Sequence, residues 1–155
     1  MYKTQLNKRT GFTLIEIMLS IALLMILASI TIIAINPSKQ LADSRDAQRE
    51  ADTFTLVQAV YQYASDYEGD FPSIITTDET EICATNATSC EGLSDLSALT
   101  DSEKYLIAVP VDPLCASVVS ACGQNGTGYY IKLTENGRLY VNASSSENKN
   151  IIVIQ

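Results

Sequence analysis

The chain has 155 residues, 46% of them hydrophobic, with no His, no Trp and a formal charge of −8. That length fits one small domain beside a hydrophobic segment. The acidic balance repels phosphate backbones and argues against a general nucleic-acid binder. The lack of His removes the common general base, Ser-His and Cys-His nucleophile pairs, and most zinc sites.

The basic residues Lys3, Lys8 and Arg9 precede Thr10-Gly11. From Phe12 to Ile35 the sequence is almost wholly apolar, with one charge, Glu16. A helix over that run reaches about 36 Å at ~1.5 Å per residue, enough to cross a ~30 Å hydrocarbon core. An acid at the centre of such a helix costs roughly 2.5–3.5 kcal/mol, less near the interface, so Glu16 requires a partner. A secretory signal peptide has an apolar region of only about 7–15 residues and a small-residue cleavage site, and this run has neither property. A plain membrane anchor explains the length but leaves the acid without a role.

The stretch Lys8-Arg9-Thr10-Gly11-Phe12-Thr13-Leu14-Ile15-Glu16 resembles the leader and cleavage site of type IV pilins and type II secretion pseudopilins. The shared pattern is a basic leader ending in Gly, then Phe, then Glu as the fifth residue after the cut. The resemblance implies that a prepilin peptidase removes residues 1–11 by cutting between Gly11 and Phe12, and methylates the new Phe12 amine. It further implies that Glu16 of one subunit neutralises the Phe12 amine of its neighbour. This happens as an inner-membrane assembly platform draws identical or related pilin subunits from the membrane into a helical filament. Such a buried pair sets register more than it stabilises, because desolvation offsets much of the attraction. Losing Lys3, Lys8 and Arg9 with the leader moves the formal charge from −8 to about −11.

On this resemblance the precursor lies in the cytoplasmic membrane, and the product is a structural subunit rather than an enzyme. It belongs to a pilus on the cell surface or, as a secretion pseudopilin, to a periplasmic piston. A reading from another class is an uncut, membrane-anchored binding domain. The implied fold is α+β, the pilin fold. It has a long N-terminal helix over about 12–68, kinked near Pro37, with a small antiparallel three-stranded sheet on its C-terminal half.

Asn36-Pro37 interrupts the helical pattern, since Pro lacks a donor and clashes with the preceding turn. Residues 36–68 read as an amphipathic helix. Arg45 and Arg49 alternate with Asp43, Asp46, Glu50 and Asp52, a pattern that suits a solvated face or, in a filament, contacts between subunits. Two apolar stripes follow, Phe54-Val57-Tyr61-Ala64 and Leu56-Val60-Tyr63-Tyr67, one for the sheet and part of the other for neighbouring subunits. The helix stops near Glu68-Gly69, ahead of Pro72. The ending from Tyr67 to Pro72 and the segment Tyr105-Leu106-Ile107-Ala108-Val109-Pro110-Val111-Asp112-Pro113 also look like pilins and the major pseudopilin.

Residues 69–155 form the expected head. The Thr/Ser/acid-rich stretch 73–104 reads as an irregular loop with a short helix around Leu93–Leu99, and 115–127 reads as a second loop. Strands are expected at 128–133, 138–142 and 151–154, with Glu135-Asn136-Gly137 as a hairpin turn. Cys83, Cys90, Cys115 and Cys122 form two pairs with six residues between partners. In an exported domain these read as disulfides, and local pairing (83–90 and 115–122) is the simplest of three connectivities. Each closed ring would contribute roughly 2.5 kcal/mol on the chain-entropy view. The spacing differs from that of zinc modules. Asn86, Asn125 and Asn142 begin N-x-S/T sequons, candidates for glycosylation. No cofactor is expected. Calcium, which some major pseudopilins hold before the last strands, has Asp112 there but no clustered acid set.

Overall fold

The computed structural model describes residues 11–115, 122 and 125–155. They fall into two compact units, Met1–Gln40 and Leu41–Gln155. The leader residues Lys8 and Arg9, and most of the second expected loop, lie outside the described residues.

The first unit is built on α1, Leu14–Ile35. Thr13 caps it from extended backbone, its hydroxyl accepting from the Glu16 amide at 3.3 Å. Within the apolar run, Ser20, Ser29 and Thr31 donate their hydroxyls back to the carbonyls of Glu16, Met25 and Ala28 at 2.7–2.8 Å. These bonds satisfy those three hydroxyl donors in an apolar medium. The expected single kinked helix is instead two helices. Asn36 leaves the α-region (φ 46°) and ends α1, and α2 begins at Pro37 and runs to Asp66. Pro37 suits a first helical position, where its missing N–H is not needed. The Asn36 side chain then caps the new helix, its Oδ1 accepting from the Lys39 amide at 3.4 Å and from the Ser38 hydroxyl at 2.9 Å.

The second unit packs Leu56, Val57, Ala59 and Val60 of α2 in one core with an antiparallel sheet. Four strands appear where three were expected: β1 Thr80–Cys83, β2 Gly126–Leu133, β3 Leu139–Ala143 and β4 Ile151–Ile154, in the order β1-β2-β3-β4. The β2–β3 register pairs Tyr129 with Ala143, Ile131 with Val141 and Leu133 with Leu139. Alternation then turns Tyr129, Ile131, Leu139, Val141 and Ala143 into the core. The hairpin turns through Asn136-Gly137, with Gly137 at φ 73°. The added strand, β1, lies in the stretch read as an irregular loop. It is a short edge strand whose pairing is offset by a bulge between Glu81 and Cys83. A single-turn helix, α3, spans Ser97–Thr100 and buries Leu99.

The two apolar stripes of α2 share the core. Leu56, Val57, Val60 and Ala64 are buried along the line between them, whereas Phe54 is 55% exposed and Tyr67 50%. The buried arc follows the width of the sheet, so each stripe keeps one outer aromatic that the head does not cover.

Candidate functional site

At the start of α1, Gly11 and Phe12 lie in non-helical backbone just before the Thr13 cap, and Phe12 is 81% exposed. The Gly11–Phe12 peptide is therefore presented outside any secondary structure. A Cβ on Gly11 would meet nothing within 4 Å, so folding does not require glycine there. Glu16 is the third residue of the helix. Its carboxylate is exposed and has no ion-pair partner among the described residues. A negative charge there complements the N-terminal end of the helix dipole. Every large side chain from Leu14 to Leu19 is more than half exposed, so α1 presents apolar surface that a bilayer or other copies of such a helix must cover. Thr13-Leu14-Ile15-Glu16 also has the spacing of a capping box, a start signal that placing the helix from Phe12 passed over.

The charges of α2 are arranged differently from a solvated face. Arg49 is fully buried, and so is Asp112 on the segment before β2. The guanidinium grips that carboxylate with two bonds, Nε to Oδ2 at 2.6 Å and Nη2 to Oδ1 at 3.0 Å. Its Nη1 donates to Asp46 Oδ1 at 2.8 Å and to Glu147 Oε2 at 3.3 Å. Asp46 also accepts the backbone amides of Glu147 and Asn148, at 3.0 and 2.8 Å. Arg45 holds Glu147 from the other side at 2.6 Å, and Lys149 pairs with Glu50. The cluster thus fastens both the 112 segment and the β3–β4 loop to α2.

The electrostatics follow from these contacts. Hydrogen bonding to Asp112 raises Arg49 above its ordinary range against the opposing effect of burial. Burial pushes Asp46 upward, but the two backbone amides and Arg49 outweigh it and hold the carboxyl below its ordinary value. Burial raises Asp52 and also Tyr129, whose hydroxyl donates to Asp52 Oδ2 at 2.7 Å. Arg49, Asp46, Asp112 and Glu147 are thus engaged with one another, and Tyr129 with Asp52, an arrangement that holds the fold together.

Cys83 is bonded to Cys90 and Cys115 to Cys122, with Cα–Cα distances of 5.6 and 5.4 Å. Gly128, at φ +81°, lies against the second of these bonds. A Cβ there would fall 2.9 Å from the Cys122 sulfur and from Asp112 Cβ. The disulfide, the start of β2 and the Arg49–Asp112 pair therefore form one packed cluster. Of the sequon asparagines, Asn86 is exposed on the 83–90 loop. Asn125 accepts from Thr88 at 3.2 Å, and Asn142 lies in β3 with its amide nitrogen on Glu79 at 3.3 Å. Among the described residues no group of three or more acids or cysteines is placed to hold a metal ion.

Residues 6–34 match a protein family described as the prokaryotic N-terminal methylation motif. No curated protein and no solved structure shows a significant match to the chain. The matched span contains Gly11, Phe12 and Glu16 and nearly all of α1. The motif implies processing by a prepilin peptidase, a membrane-anchored precursor and assembly with other pilin subunits. The chain therefore carries a prepilin-type N-terminal segment, the hallmark of type IV pilins and pseudopilins.

Proposed function

We propose that the chain is a structural, non-enzymatic subunit of an extracellular type IV pilus. The observation that carries this reading is the methylation motif coinciding with an exposed Gly11–Phe12 peptide that leads directly into a helix apolar on all sides. Prepilin peptidase cuts that peptide and methylates the Phe12 amine, which stays charged. The helix Leu14–Ile35 is long enough to hold the subunit in the inner membrane until assembly. Glu16 then takes the Phe12 amine of the next subunit, so both charges leave the lipid as a pair. The apolar surface of α1 passes from lipid to neighbouring helices, and residues 41–155 become the displayed head.

The test is the N-terminus of the chain in sheared surface filaments. Mass spectrometry should find a peptide that begins at N-methyl-Phe12. Glu16→Ala should still be cut and methylated but should fail to enter filaments with wild-type subunits. A chain that keeps Met1, or a Glu16→Ala variant that assembles normally, would defeat the proposal. The likeness of the segment Tyr105–Pro113 to the major pseudopilin favours a second reading as a type II secretion pseudopilin. A processed chain confined to periplasmic fibres, and absent from surface filaments, would select it.

A further inference from the structure

The C-terminal end of α2 has a charge pattern that works against the helix. A helix end of this polarity favours cations, yet the last turn of α2 contains no basic residue. Three acids, Asp66, Glu68 and Asp70, crowd the end instead. More widely, the sequence from Asp66 to Glu103 carries ten acids and no base. Lys104 and the Tyr105 hydroxyl compensate Asp66, each at 2.8 Å, which leaves Glu68 and Asp70 as the local cost that marks a functional surface.

Aromatic rings wall the same place. Tyr63 and Tyr67 stack with centroids 4.2 Å apart at 16°, and Phe71 meets Tyr61 edge-on at 5.4 Å. Between them opens a cleft of about 520 Å³, lined by Tyr63, Tyr67 and Phe71 together with Asp66, Glu68 and Asp70. Tyr67 is half exposed, and neither Glu68 nor Asp70 has an ion-pair partner among the described residues. One ammonium already sits at the margin. Lys104 Nζ pairs with Asp66 at 2.8 Å and lies 4.8 Å from the centroid of the Tyr105 ring. Beside the cleft, on the other side of Asp66, the chain thus holds a cation against a carboxylate and an aromatic face, the same two kinds of group that line the cleft itself.

We propose that this cleft is a binding site for the lysine or arginine side chains of a basic partner protein. The rings supply faces for an ammonium or guanidinium, and Glu68 and Asp70 supply the counter-charge that Lys104 leaves free. A second copy related by a two-fold axis is a poor occupant, because it would bring the same ten acids to the contact. Nucleic acid is repelled for the same reason. The site lies wholly within residues 41–155, so it does not depend on how the N-terminal helix assembles.

The experiment uses the full-length chain in detergent and hexalysine as the probe, with binding measured by calorimetry at 0.15 M salt. Tyr67→Leu removes an aromatic face without changing charge and should weaken binding two- to fivefold, the size of an exposed cation–π contact. Asp70→Asn should weaken it by a similar factor or more. Glu135→Gln, the same charge change at the distant β2–β3 turn, should alter it less than twofold. Circular dichroism checks that each variant is folded. Equal effects from Asp70→Asn and Glu135→Gln, with Tyr67→Leu silent, would mean diffuse attraction and overturn the proposal. So would calcium chloride displacing hexalysine at equal concentration, or no measurable binding of the peptide.

Discussion

Arg49 is the side chain on which the head's attachment to α2 depends most, and truncating it is the sharpest test of the fold as described. Arg49→Met keeps the aliphatic stem and removes all four of the bonds that the guanidinium makes to Asp112, Asp46 and Glu147. The losses fall unequally. Asp46 keeps two backbone amides, and Glu147 keeps Arg45. Among the described residues, Asp112, fully buried, then keeps only the Leu114 amide at 2.8 Å on its carboxylate. A buried carboxylate stripped of its cation costs about 3–5 kcal/mol, which is a large share of the ~5–15 kcal/mol stability of a typical domain. Removing the stranded charge should restore much of that. Arg49→Met with Asp112→Leu is therefore expected to lose less than the sum of the two single variants by about 0.5–3 kcal/mol, the range of coupling found between contacting residues. The assay is urea unfolding of the full chain in detergent, followed by near-ultraviolet dichroism of its eight tyrosines, since it has no Trp. If Arg49→Met costs under about 1 kcal/mol, or the double variant loses the plain sum of the two singles, the ion pair does not hold the head as argued.

Three further outcomes follow from the same geometry. The depressed Asp46 carboxyl contributes stability at pH above its ordinary value of 3.8, and that contribution is lost as pH falls through its lower folded value. A urea-midpoint series over about pH 2–5 should therefore show a steeper acid loss for wild type than for Asp46→Asn, with parallel curves refuting the assignment; Asp52, raised by burial, acts in the opposite sense. Glu68 occupies the left-handed position after α2 at φ 57°, with the Gly69 amide bonded back to the Ala64 carbonyl at 2.8 Å. Glu68→Gly should thus stabilise the head by about 1 kcal/mol in thermal melts while weakening hexalysine binding. Gly128→Ala should cost about 2–4 kcal/mol, from a left-handed backbone plus crowding against the Cys115–Cys122 bond, and a neutral result would show that this cluster yields easily.

The parts legible in the sequence are those whose physics is local. The apolar run and the Gly11, Phe12, Glu16 order form one contiguous pattern. The β2–β3 hairpin announces itself through Asn136-Gly137 between alternating strands. Edge strand β1 does not, because Thr80–Cys83 lies in a polar stretch without an apolar run like that of β4, and its register depends on a partner near Ile131. The break at Asn36 was legible as a disturbance, but not as two capped helices, since that outcome depends on the Asn36 side chain turning to bond Ser38 and Lys39.

Arg49 marks the boundary most clearly. Helical periodicity places it among the acids at neighbouring turns, and only one of those, Asp46, becomes a buried partner along the helix. Its principal partner, Asp112, is 63 residues away in the chain, and no periodic signal reaches that far. The same reasoning runs in reverse for Asp66, Glu68 and Asp70. Their spacing is local, and local electrostatics disfavours acids at that end of a helix. Burial resolved the apparent excess of charge around Arg49, because the carboxylates there proved to be its ligands. At the end of α2 Lys104 is the one cation paired among the described residues; with the Tyr105 hydroxyl it engages Asp66 and leaves Glu68 and Asp70 facing an aromatic cleft. An acid that the fold consumes and an acid that the fold leaves exposed look identical in the sequence. The partner across the contact separates them, and among the described residues Glu68 and Asp70 have no ion-pair partner.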